Sequence, residues 1–203
     1  SKGANTLYLN FEKFGSSDAF FSAEGQFDMS DIIFALKSKK TNLSMKMESC
    51  IRQDQRGVYF YSQPKLALDM LELGTDEIIR LVSEAKLSGS YSYIILDLDF
   101  GIDNDMIRLL KQTNSIVWTG DGSEVSNLKI NRAYNALAIL EQSSDISILN
   151  RTVLVYNKFS NKSSTTVSGA DLRNIGGAPR YEHATIAQVL ERLSPMEMLD
   201  KLD

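Results

Sequence analysis

The chain has 203 residues, 43% hydrophobic and 24% charged, which fits one globular α/β domain and excludes a disordered chain. No apolar run reaches about 18 residues, so no transmembrane helix is expected, and a single cysteine, Cys50, excludes an internal disulfide and points to a reducing, cytoplasmic setting. A net charge of −4 argues against a protein whose main task is nonspecific DNA binding, because that needs a dense cationic surface.

Strand and helix signals alternate along the chain. TLYLNF (Thr6–Phe11) predicts a strand, and DMSDIIFALKSKK predicts a helix with Met29, Ile32, Ile33 and Leu36 at helical spacing. TNLSMKMESCI reads as a second, weaker helix, and GVYFYS (Gly57–Ser62) as a short aromatic strand. A helical stretch follows Pro64. Thr75 then reads as the N-cap of a helix whose buried face is Ile78, Leu81, Val82 and Ala85.

YIILDLDFG (Tyr93–Gly101) is the next strand, running out into two carboxylates and a glycine. A short helix around Asp105–Gln112 leads to the strand SIVWTG (Ser115–Gly120), in which Trp118 reads as core. Glu124 to Gln142 reads as one long helix with Val125, Leu128, Ala133, Leu137 and Leu140 facing inward. TVLVYNK (Thr152–Lys158) is a near-continuous apolar strand, and FSNKSSTTVSG a polar loop. GGAPR (Gly176–Arg180) reads as a φ-permissive turn into a proline. Two closing helices carry Ile186, Val189, Leu190 and Leu193, then Met196, Leu199 and Leu202. Ser194, Pro195 and Glu197 form a capping-box start between them.

Apolar strands about 30 or more residues apart with helices between them predict βαβ crossovers. The fold class expected is α/β, a mostly parallel β-sheet flanked by helices on both faces. Ligands of such sheets sit at the carboxyl ends of the strands. Three strands end in polar pairs there: Asn10 with Glu12, Asp97 with Asp99, and Asn157 with Lys158. Parallel strands would gather all three pairs at one edge.

Each candidate has two readings. Asp97 and Asp99 share a strand face, and two carboxylates with water and phosphate oxygens suit magnesium; D-x-D-F-G also describes any strand leaving the core for a polar loop. Glu12 is a second acid for the same task or a solvated loop residue. Asn157 has the carbonyl and amide that match a purine edge, and Lys158 a stem to lay over a ring, but N-K also suits a turn. His183, the single histidine, has no second histidine or cysteine near it in sequence. The acids raise a puzzle, because the chain contains no glycine-rich phosphate loop of the form G-x-x-x-x-G-K-[ST].

The order of these features resembles the ParA/MinD superfamily of deviant-Walker ATPases and, within it, looks most like the TadZ/CpaE group of Tad pilus assembly systems. NTLYLNFEKFGSSDAFF is similar to the strand and loop after the family's first helix. YSYIILDLDFG looks like the Walker B strand and second switch. SIVWTGDGSEVSNLKINRAYNAL resembles the segment that follows, and VLVYNKFSN with IGGAPRYEHAT the adenine-contacting region.

The resemblance implies a P-loop NTPase-like fold whose first strand and phosphate loop are absent from these residues. The 203 residues would be the C-terminal part of one ATPase domain, with the phosphate-loop segment upstream and, in proteins of this type, often a receiver-like domain as well. Asp97 would hold Mg2+ through water, Glu12 would take the first-switch position, and Asp99 would fall in the second switch. Asn157, Lys158, Pro179 and Arg180 would surround the adenine of ATP.

The resemblance further implies an ATP-bound homodimer, cytoplasmic and recruited to the cell pole, acting with the Tad pilus secretion machinery. Asn10 stands where the family has its first acid, Glu12 where it has its second, and Asp99 at a variable loop position. These departures point to a slow, atypical ATPase. The alternatives are a ParA-type partitioning ATPase, disfavoured by the acidic balance, a MinD-type membrane-cycling ATPase, disfavoured by an acidic tail, and a non-hydrolysing scaffold of the same fold.

Overall fold

The computed structural model of the protein describes residues 3–38, 42–194, 196 and 201–202. They gather into two compact units, Ser1–Gly101 and Ile102–Asp203, each with its own sheet.

In the first unit the strand order is β2 (Arg52–Gln53), β3 (Val58–Phe60), β1 (Thr6–Asn10), β4 (Tyr93–Asp97). β1 pairs in parallel with β3 and β4, as βαβ connections require. The two-residue β2, antiparallel to β3, is too short to leave a periodic signature in the sequence. Leu7 and Leu9 of β1 are fully buried, which fits a strand with neighbours on both sides.

Three helices cover this sheet: α1 (Met29–Lys37), α2 (Leu43–Cys50) and α3 (Thr75–Leu87). The predicted apolar faces of α1 and α3 are the buried ones. α1 starts in a capping box, with the Asp28 carboxylate accepting from the Ser30 N–H and Asp31 accepting from the Asp28 N–H. Thr75 is not the cap of α3 but its first residue. Gly74 precedes the helix in extended backbone, and the Glu77 carboxylate accepts from the Gly74 N–H (3.0 Å), so the cap comes from inside the first turn.

β4 departs from expectation in one respect. YIIL reads as an interior strand, yet β4 is at the sheet edge with Tyr93 56% and Ile95 47% exposed.

The second unit is a parallel sheet in the order β5 (Ile116–Gly120), β6 (Thr152–Phe159), β7 (Arg173–Pro179), with α4 (Asn104–Leu110), α5 (Glu124–Ser143) and α6 (Ile186–Leu193). Trp118, Ile130, Leu137, Leu154 and Tyr156 are in its core, as expected for Trp118. The first turns of α5 depart from the predicted face, with Val125 and Leu128 exposed and Asn127 and Ile130 buried, while Leu137 is buried and Ala133 and Leu140 pack against the core as expected. A polar residue takes the inward position because its amide donates to the Thr165 carbonyl (2.9 Å) and hydroxyl (3.2 Å), fixing the polar loop after β6.

GGAPR is mostly strand rather than turn, since β7 runs through Pro179. A Cβ on Gly177 would lie 2.4 Å from the Tyr156 carbonyl oxygen, so glycine is needed for close approach to β6, beside irregularities in the strand register. Val189, Leu190 and Leu193 of α6 are half-buried, and Ile186 is exposed. The predicted cap at Ser194, Pro195 and Glu197, and Leu199 beyond it, fall on or beside residues outside the described ones. Leu202 packs against Val153, Val155 and Ile175.

Candidate functional site: the carboxyl end of β1 and β4

The parallel register puts Asn10, the last residue of β1, opposite Asp97, the last residue of β4. Tyr8 and Asn10 are two apart on β1 and share a face. From that face the Tyr8 hydroxyl donates to Asp97 Oδ2 at 2.5 Å. Asn10 Nδ2 donates to the Tyr8 oxygen and to Glu12 Oε2, both at 3.1 Å, and Asn10 Oδ1 accepts from the Glu12 N–H at 3.0 Å. Three residues of two adjacent strands and Glu12, two residues past β1, are thereby connected. Asn10 is buried, and its amide orientation is fixed because only one arrangement supplies a donor to Tyr8 and Glu12 and an acceptor to the backbone.

Burial, then the hydrogen bond to Asp97, push the Tyr8 phenol well above its ordinary range, so it stays protonated as the donor. The ring stacks obliquely on Phe21, 5.1 Å between centroids.

The loop after β1 is pinned over this end of the sheet. The Asp18 carboxylate accepts from the Ser62 hydroxyl (2.7 Å) and the Gln63 N–H (3.2 Å), just beyond β3. The Arg52 guanidinium donates to the carbonyls of Ala23, Gly25 and Phe27. Gly15 brings the loop back onto the network, since a Cβ there would lie 2.3 Å from Asn10 Oδ1 and 2.7 Å from Gln63 Nε2.

The structure therefore unites Asn10, Glu12 and Asp97 from the sequence analysis. Asp99, two residues past β4, is exposed and outside the network. Tyr8 was not among the predicted site residues. Its signal is the two-residue strand period that places it on the face of Asn10, and it is masked by the apolar run around it.

In the second unit Asn157 and Lys158 are near the end of β6, and Pro179 ends β7. Phe159 pairs with Pro179, and the Arg180 N–H donates to the Phe159 carbonyl (3.1 Å), so Asn157, Lys158, Pro179 and Arg180 meet at one end of two paired strands. All four are exposed. Lys158 has φ 60°, a left-handed conformation uncommon for a residue with a Cβ. Clefts of about 530 and 630 Å³ open at the opposite, amino ends of these strands, around Leu149, Asn150 and Asp171.

Among the described residues no group of three or more His, Cys, Asp or Glu side chains is placed to hold a metal ion, and exposed His183 joins no such cluster. A metal held by protein alone does not fit. The donor set does fit magnesium, which keeps several waters and takes one or two carboxylates with phosphate oxygens. Tyr8 occupies one oxygen of Asp97.

No family model and no curated protein sequence matches the chain. Solved structures do. The chain is similar to a ParA family ATPase from Chlorobium tepidum TLS (TM-score 0.71, 14% identity, covering 98% of this chain and 83% of that one). It is similar to the septum site-determining protein MinD complexed with Mg-ADP from Pyrococcus horikoshii OT3 (TM-score 0.67, 11% identity, 98% and 81%). A third is apo McdA from Cyanthece (TM-score 0.63, 12% identity, 99% and 86%). The chain has the α/β fold of the ParA/MinD-type P-loop ATPases.

Proposed function

We propose that the chain is the carboxylate-bearing part of an ATP-binding, dimerising localisation factor of the ParA/MinD type, with slow or atypical hydrolysis. The observation that carries this reading is the pairing of Asn10 with Asp97 at the carboxyl ends of parallel β1 and β4, with Glu12 tied into the same network. The fold likeness to a MinD complexed with Mg-ADP supports it.

Asp97 would hold Mg2+ through water, and the ion would neutralise the charge of the phosphate oxygens. Glu12, its carboxylate restrained by Asn10, would orient water beside the nucleotide. Asn157, Lys158, Pro179 and Arg180 would contact the adenine, where an exposed asparagine amide and carbonyl suit a purine edge. The phosphate-holding loop and first strand would come from an upstream segment of the same protein. The edge position of β4, with an interior-type sequence, supports that part of the reading. The likeness to TadZ/CpaE in the quoted motifs supports a role in Tad pilus assembly at the cell pole.

Calorimetric titration of the full-length protein with ATP, with and without magnesium, tests the reading, with light scattering on the same samples. Magnesium-dependent ATP binding and a doubling of mass are expected. A full-length protein that binds no nucleotide would establish a scaffold of the same fold instead.

A further inference from the structure

Tyr8 has no role assigned by the sequence motifs, yet its hydroxyl is the side-chain group that joins the two strand ends among the described residues. From the Glu12 backbone to Asp97 the donations run one way, while the Asn10 amide also donates back to Glu12 Oε2. The Glu12 N–H donates to Asn10 Oδ1, the Asn10 amide donates to the Tyr8 oxygen, and the Tyr8 hydroxyl donates to Asp97 Oδ2. A phenol has one proton, so giving it to Asp97 leaves only lone pairs toward residue 10. Residue 10 must then be a donor. Asparagine is one, and an ionised aspartate is not.

The Tyr8 phenol and the asparagine in place of an acid are therefore parts of one device. From this geometry we infer that Tyr8 is a positioning residue, holding the Asp97 carboxylate so that its other oxygen faces the magnesium-bound water and coupling Asp97 to Glu12. This inference rests on the nucleotide-binding reading above and extends it to a residue that touches neither nucleotide nor metal.

The test is ADP binding by the full-length protein across a magnesium series, read calorimetrically and without any hydrolysis. Tyr8→Phe keeps the ring against Phe21 and removes only the hydroxyl. The half-saturating magnesium concentration should rise about tenfold, the lower end of what outer partners of metal ligands contribute, with ADP affinity in EDTA unchanged. Tyr61→Phe removes a buried hydroxyl that has no hydrogen-bond partner among the described residues and should leave the magnesium midpoint in place. Asn10→Ala cuts the preceding link and should shift the midpoint in the same direction by a smaller factor.

An unmoved midpoint in Tyr8→Phe overturns the inference while the nucleotide reading stands. Equal losses with magnesium and with EDTA also overturn it, since they mark a packing role. ADP binding by the wild-type protein that ignores magnesium overturns this inference and the magnesium role of Asp97 while nucleotide binding stands, and a wild-type protein that binds no ADP overturns the nucleotide reading and this inference together.

Discussion

At position 10 the chain exchanges a charge for a donor, and the cost of reversing that exchange can be argued. Asn10→Asp would set an ionised carboxylate between Glu12 and Asp97, in a buried position where the lone pairs of Tyr8 repel it. An uncompensated buried charge destabilises by about 3 kcal/mol. We expect a correspondingly lower urea midpoint for Asn10→Asp at pH 7, recovered in part as the acid is protonated at lower pH. Other carboxylates act oppositely. Asp121 is held below its ordinary value of 3.8, first by the Ser123 backbone N–H. Asp31 and Glu77 (ordinary value 4.5) are also held low: burial, the largest single influence, opposes ionisation, and the hydrogen bonds from Lys46 and Lys37, the backbone N–H donors and the lysine charges together outweigh it. A lowered folded-state pKa contributes stability that is complete above the unfolded value and lost as pH falls through the folded one. The melting temperature should therefore hold from neutrality to about pH 5 and fall below about pH 4.5. Glu77→Gln with Asp121→Asn should flatten that acid limb; an unchanged slope would show that other groups govern it.

Glycine and asparagine do more to shape the elements than the apolar pattern suggests. At Gly177 a Cβ would meet the β6 backbone, which cannot give way as a side-chain end can. Gly177→Ala should cost about 2 kcal/mol, read as a lower denaturation midpoint followed by Trp118 fluorescence. GGAPR was legible as backbone permissiveness but not as a strand, because close strand approach depends on the partner β6. The first turns of α5 depart for a related reason, although Ala133, Leu137 and Leu140 face the core as expected. Hydrophobic spacing put Val125 and Leu128 inside, while the structure turns Asn127 inward to hold Thr165, a residue 38 positions away. Asn127→Ala should cost about 1–3 kcal/mol and loosen the loop after β6, seen as faster amide exchange around Thr165. Where one helix face meets one apolar layer, as at Ile78, Leu81, Val82 and Ala85, periodicity was enough. The site divides in the same way. Asp97 and Glu12 stood out by strand-end position, but Tyr8 needed the register of β1 against β4.

Each unit has its own sheet, and each sheet has an apolar strand at an edge, β4 in the first and β5 in the second. Edge strands expose unpaired N–H and C=O groups, and proteins usually blunt them with charge, proline or bulges. β4 has none of these before Asp97. The Tyr93 N–H donates inward to the Asn5 carbonyl (3.2 Å), so by the two-residue period Ile94 and Leu96 direct their N–H groups to the open edge. In the 203-residue chain the Ile94 and Leu96 amides should exchange faster than those of Tyr93 and Ile95. If the proposed upstream segment supplies a strand beside β4, the same two amides should become protected in the full-length protein, while Ile95 changes little. Protection at Ile94 and Leu96 alone would mark strand addition at this edge. Equally fast exchange in both proteins would show that β4 is a true edge, and the phosphate-holding half of the site would have to be sought elsewhere.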